Sequence, residues 1–175
     1  MLCMGSIAFI SGPAALAAAE GRAVDAYLGA YLFGGEEAER RAREKAIDDV
    51  VSSMNPLVRA IARHQLDEGT AIPPMVAIAA DAKNLTITDF LPLTAPLDGS
   101  SVRVKTYGGN EMDLSYDVTS ERLLQRLTGD GKGSKSFFTV EKGKLKHHVH
   151  IYAKELPKDL EYVLTYSTAP HSARR

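Results

Sequence analysis

The segment His147-His148-Val149-His150 holds the densest group of side chains able to do chemistry. Successive residues of an extended strand point to opposite faces, so His148 and His150 share one face. Two imidazoles at that spacing could share a transition metal, but protein metal sites use three or four ligands. Lys146 and Lys154 flank the pair and no acid lies on that face of the strand, so no metal role is expected. His147 stands apart, because it is polar on a face otherwise made by Leu145, Val149, Ile151 and Ala153. Two readings are open for it: an interior histidine with hydrogen-bond partners, or a contact to a bound ligand.

Other chemistry finds less support. No Gly-x-Ser-x-Gly elbow is present, and no serine, histidine and acid occur in a recognisable nucleophilic context. His64 falls in a helical pattern and is expected at the edge of a helical lid. Gly129-Asp130-Gly131-Lys132-Gly133-Ser134 has the wrong spacing for a phosphate loop and joins two strand-like runs, so a hairpin turn is expected. No catalytic constellation emerges, and the chain reads as a non-enzyme without a cofactor.

Composition bounds the partners. The 175 residues carry 21 basic and 22 acidic side chains, a formal net charge of −1, which gives no electrostatic footprint for nucleic acid. Residues Met1–Ala19 combine an apolar run through Ile7–Ile10 with Ala-x-Ala patterns at Ala15/Ala17 and Ala17/Ala19. Gly5, Gly12 and Pro13 break that run well short of the ~20 apolar residues of a membrane span. A secretory signal is therefore expected, with a secreted or periplasmic mature chain and no stable membrane insertion. Cleavage after Ala19 would remove Cys3, the single cysteine, and with it disulfides, thiolate metal sites and cysteine nucleophiles.

The elements that position these side chains follow from periodicity. A short strand-like run, Tyr27–Phe33, precedes a helical block over 36–66. In that block Ala38, Ala42, Ala46, Ile47, Val50, Val51 and Met54 recur at three- and four-residue spacing. Glu36–Arg40, Glu37–Arg41 and Glu39–Arg43 are spaced as i,i+4 ion pairs on a solvated face. Asn55-Pro56 should end one helix and cap the next. The apolar stripe Ile47, Val50, Val51, Met54, Leu57 and Ile61 is expected to cover the mouth of the barrel that the following strands make.

Strand-like runs then follow at 75–80, 84–88, 102–107, 111–118, 122–128, 134–140, 144–153 and 161–168, separated by turn residues. Pro92 and Pro96 make 90–97 an edge or irregular connection. Clean alternation, as in Met112, Leu114, Tyr116 and Val118 against Glu111, Asp113, Ser115 and Asp117, predicts one enclosed and one wetted face. The expected fold is mainly β: a small antiparallel up-and-down β-barrel of about nine or ten strands, with two helices inserted between the first and second strands. Residues 20–168 would form this domain, and 169–175 a disordered tail.

This pattern resembles the calycin superfamily, the lipocalins and fatty-acid-binding proteins. Gly29-Ala30-Tyr31 looks like the Gly-x-aromatic that opens lipocalin barrels, and the helices between strands one and two look like a fatty-acid-binding-protein lid. Tyr162-Val163-Leu164-Thr165-Tyr166 resembles a closing strand, but Leu164 stands where that family places the Arg of its Arg-x-Tyr carboxylate clamp. The resemblance implies a barrel binding a small, largely apolar ligand; for His147 it adds the haem ligation of haem-binding calycins, which nothing else in the chain supports. Met112, Leu114, Tyr116, Gln125, Phe138, His147, Val149 and Tyr166 are the residues expected in or near the interior. The alternative is a side-chain-filled barrel serving as an envelope interaction or inhibitor module.

Overall fold

The computed structural model describes residues 23–170. The expected signal segment, Cys3 within it, and the residues beyond Pro170 lie outside the described residues. Ten antiparallel strands form one sheet in the order β4-β3-β2-β1-β10-β9-β8-β7-β6-β5. They are β1 (Gly29–Phe33), β2 (Met75–Ala80), β3 (Asn84–Thr88), β4 (Pro92–Pro96), β5 (Val102–Lys105), β6 (Glu111–Val118), β7 (Leu123–Thr128), β8 (Lys132–Glu141), β9 (Lys144–Ala153) and β10 (Leu160–Thr168). Helices α1 (Glu37–Val51) and α2 (Pro56–Gly69) lie between β1 and β2.

Neighbours in sequence pair antiparallel except β4 with β5, the β1–β2 pair being joined through the two helices, and β1 pairs with β10 through Phe33↔Tyr166 to Tyr31↔Thr168. The sheet curls until its ends, β4 and β5, meet without ladder hydrogen bonds, giving a nearly closed barrel with one seam. Pro92 and Pro96 bracket β4, so the apolar run 90–97 is an edge strand, where proline's missing N–H is tolerated. One hydrogen bond crosses the seam: the Tyr116 hydroxyl on β6 donates to the Leu93 carbonyl on β4 at 2.8 Å.

Alternation holds along β6 and β9. Met112, Leu114 and Tyr116, and Leu145, His147 and Val149, are buried on the inner face. The Gly129–Lys132 stretch is a hairpin turn closed by Gly129 N–H donating to the Lys132 carbonyl. Gly131 there has φ +70°, a left-handed conformation suited to glycine.

The helical block breaks at Asn55-Pro56, where the Asn55 side chain accepts from Leu57 N–H at 3.0 Å. Its two halves then behave differently. Ile47 and Val50 of α1 are buried and join the barrel core. Glu39 accepts from the Thr165 N–H at 2.9 Å, tying α1 to β10 one residue beyond the last β1 pair. Helix α2 has no buried residue: Leu57 is 85% and Ile61 60% exposed. The expected continuous stripe over the barrel therefore ends with α1, because α2 rests on α1 rather than on the strands.

Of the three expected ion pairs only Glu37–Arg41 forms among the described residues, at 3.0 Å. Arg40 lies over the Phe33 ring at 4.9 Å. Arg43 is buried and reaches the far end of α2, donating to the Thr70 carbonyl at 2.7 Å and to Asp67 Oδ1 at 2.8 Å. That guanidinium satisfies carbonyl groups at a helix C-terminus, which otherwise lack partners. His64 is an exposed α2 residue 3.5 Å from Glu68, not a lid-edge contact.

Candidate functional site

Strand register assembles the expected interior residues into two adjacent belts. In the first, Tyr116, Gln125, Ser136, Val149 and Tyr162 lie side by side across β6 to β10. In the second, Val118, Leu123, Phe138, His147 and Leu164 do the same one step along. Tyr166 follows Leu164 on the same face of β10 and lies opposite Leu145. All eight residues expected in the interior are buried, with Met112 set near Gly129 at one end.

The first belt is hydrogen-bonded to the protein. Gln125 Nε2 donates to the Tyr116 hydroxyl at 3.3 Å, which in turn donates a hydrogen bond to the Leu93 carbonyl across the seam. Burial pushes the Tyr116 phenol well above its ordinary range. Tyr162, also buried, is pushed up to about 12, with Arg43 opposing the shift.

The second belt differs. The His147 ring stacks on Phe138, centroids 4.4 Å apart, and lies 6.4 Å from Tyr166. Among the described residues neither His147 ring nitrogen has a hydrogen-bond partner, and nor does the Tyr166 hydroxyl. The expectation of a hydrogen-bonded interior histidine is thus corrected: its register partner Leu164 and its stacking partner Phe138 offer no polar atom. Burial, with a smaller contribution from His148, holds the imidazole down to about 3, so it is neutral at physiological pH. A buried polar atom without a partner forfeits hydration worth about 1–3 kcal/mol.

Outside the barrel, acids do reach His148 and His150, from the neighbouring strand and the turn before it. His150 Nε2 is 2.7 Å from Asp159, and both histidines lie within 4 Å of Glu161, at 3.7 and 3.8 Å. Among the described residues no cluster of three or more ligating side chains is arranged to hold a metal. Among the described residues the surface carries concavities beside the barrel. One of about 390 Å³ lies between α1 and α2, lined by Val51, Pro56, Ala60 and Arg63 among others. Another of about 200 Å³ lies beside the seam, near Leu97, Gly99 and Arg126. Neither is lined by His147 or Tyr166.

Sequence reasoning missed Ser136 and Tyr162. Inward alternation on β8 and β10 was the signal that could have found both. It also missed Arg43, for which i,i+4 spacing to Glu39 suggested a surface role.

The chain has the fold seen in the fatty-acid-binding proteins. No family model and no curated protein matches the sequence, whereas solved structures match the fold. Fatty-acid-binding protein 1 of Echinococcus granulosus is 15% identical, with TM-score 0.52, covering 83% of this chain and 98% of its own. A Schistosoma mansoni fatty acid binding protein in complex with arachidonic acid is 12% identical, with TM-score 0.51 and coverage of 84% and 98%. The fluorescent protein UnaG is 16% identical, with TM-score 0.54 and coverage of 83% and 99%.

Proposed function

We propose that this protein binds a small, largely apolar ligand inside its barrel, without covalent chemistry, and that it works outside the cytoplasm. The observation that carries the binding reading is the unpartnered set of polar atoms on His147 and Tyr166 in a largely apolar interior, beside a belt whose Gln125 and Tyr116 are already hydrogen-bonded. Ligand sites are mostly apolar with a few placed polar groups, and these two side chains have the character of such groups. Proteins of the same fold include one in complex with arachidonic acid, a long hydrocarbon chain bearing a carboxyl group. Export rests on the apolar run and Ala-x-Ala pattern of Met1–Ala19.

A second reading has its own support. Tyr116, Phe138, Tyr166, Leu114, Leu123 and Leu145 are all fully buried, so side chains fill much of the interior. A filled barrel would act as an interaction module through its outer surface. Titration of the full chain with Nile red, an uncharged apolar dye, separates the two. Saturable one-to-one binding supports the ligand reading, and its absence favours the interaction module. N-terminal sequencing of protein from a secreting host tests export: a start near residues 18–20 is expected, and an intact Met1 in the cytoplasm would overturn it.

A further inference from the structure

We propose that the ligand is an uncharged amphiphile, an apolar body bearing one alcohol or primary amide head group, and that the interior discriminates against carboxylates. The inference deepens the ligand-binding reading above and rests on it. Its ground is the inventory of buried polar groups. Among the described residues, those buried are Arg43, Thr70, Gln125, Ser136 and His147, together with Tyr27, Tyr31, Tyr116, Tyr162 and Tyr166. Arg43 is the one permanent charge in that set, and it is already committed: Asp67 neutralises it and Thr70 takes further bonds. Among the described residues no uncompensated cation is buried in the barrel interior.

The atoms left over have matching chemistry. A neutral imidazole offers one donor and one acceptor, and a phenol offers one donor with acceptor capacity. His147 and Tyr166, on adjacent strands with ring centroids 6.4 Å apart, therefore present both functions to one head group. An alcohol or a primary amide likewise both donates and accepts. An ionised carboxylate only accepts, so it would leave the acceptors of this pair unused while bringing a buried, unpaired charge. Phe138 and Leu164 flank His147 with ring and methyl groups where a counter-ion would have to stand. A fatty acid could bind in its protonated form, at a cost of tenfold in affinity per pH unit above its pKa, roughly a thousandfold near pH 7.5.

Calorimetric titration of the full chain with 1-dodecanol, dodecanamide and dodecanoic acid at pH 7.5 tests this. The alcohol and amide should bind at least a hundredfold more tightly than the acid. Tyr166→Phe, which removes only the unpartnered hydroxyl, should weaken the alcohol at least threefold; His147→Leu should weaken it at least tenfold. Acid binding as tight as the alcohol would overturn the inference and leave the ligand reading intact. Alcohol binding indifferent to both substitutions would overturn the assignment of the head-group contact. Binding of none of the three would overturn the ligand reading itself.

Discussion

His147 stacks face to face on Phe138, with planes 20° from parallel, yet both of its ring nitrogens are unbonded at the ring edge. Stacking satisfies the π faces and does nothing for the polar edge. The imidazole is therefore held neutral by burial rather than by a hydrogen bond. In the unfolded chain it titrates near the ordinary 6.5, and in the native state near 3. Below pH ~6.5 the unfolded chain binds a proton that the native state refuses. Stability is thus kept above that pH and lost as pH falls toward 3, by up to about 1.4 kcal/mol per pH unit. Urea unfolding between pH 7.5 and 4.5 should show a steeper loss for the wild type than for His147→Leu. Equal slopes would contradict the buried, neutral state.

Tyr116→Phe removes the hydrogen bond that spans the seam to Leu93 and leaves Gln125 without its acceptor. The expected cost is about 1–3 kcal/mol. Faster amide exchange should be confined at first to β4 and the facing part of β6. Uniform acceleration around the barrel would show that the seam is not a separate weak point.

Val50 and Val51 are adjacent and both buried, but only Val50 belongs to the barrel core; Val51 lines the groove against α2. Val51→Asp should release α2 while the strands keep their exchange protection. Val50→Asp should lower the unfolding midpoint of the whole domain, since burying a valine contributes about 1.5–3 kcal/mol and an aspartate there is unpaired. Leu57→Ser and Ile61→Ser should stay within about 0.5 kcal/mol, as expected for exposed positions.

Gly133 has no room for a side chain. A Cβ there would run into the Tyr152 hydroxyl and lie 2.6 Å from the Leu127 carbonyl, and the latter is backbone. Gly133→Ala should destabilise by about 1–3 kcal/mol through overpacking. Gly143, at φ +74° with open space around it, should lose only about 1 kcal/mol on the same change, from the left-handed backbone. Thermal melts of the two variants distinguish steric from conformational cost.

The strands were legible because alternation is a local signal. Met112, Leu114 and Tyr116 had to share a face whatever lay beyond them. The helix break was equally local, written in Asn55-Pro56. What stayed hidden depends on partners far along the chain. Leu57 and Ile61 have the spacing of a buried stripe, but spacing does not reveal whether a neighbour covers it, and among the described residues none does. Arg43 has the spacing of a surface ion pair, while its true partners, Asp67 and Thr70, are more than twenty residues away. His147 was correctly placed on the inner face. That its neighbours would all be apolar depended on the register of β8 and β10, which no single strand discloses.

The two prolines that bracket β4 also bear on how the protein behaves in crowded or concentrated solution. An unpaired strand edge is a template on which a second chain can add, and a barrel that fails to close offers two. Here one edge is framed by Pro92 and Pro96, which cannot donate to an incoming strand. The other, β5, is four residues long and carries Arg103 and Lys105. Replacing both prolines by threonine would leave an unguarded template, so self-association into β-rich aggregates should rise even where the monomer's own stability is unchanged.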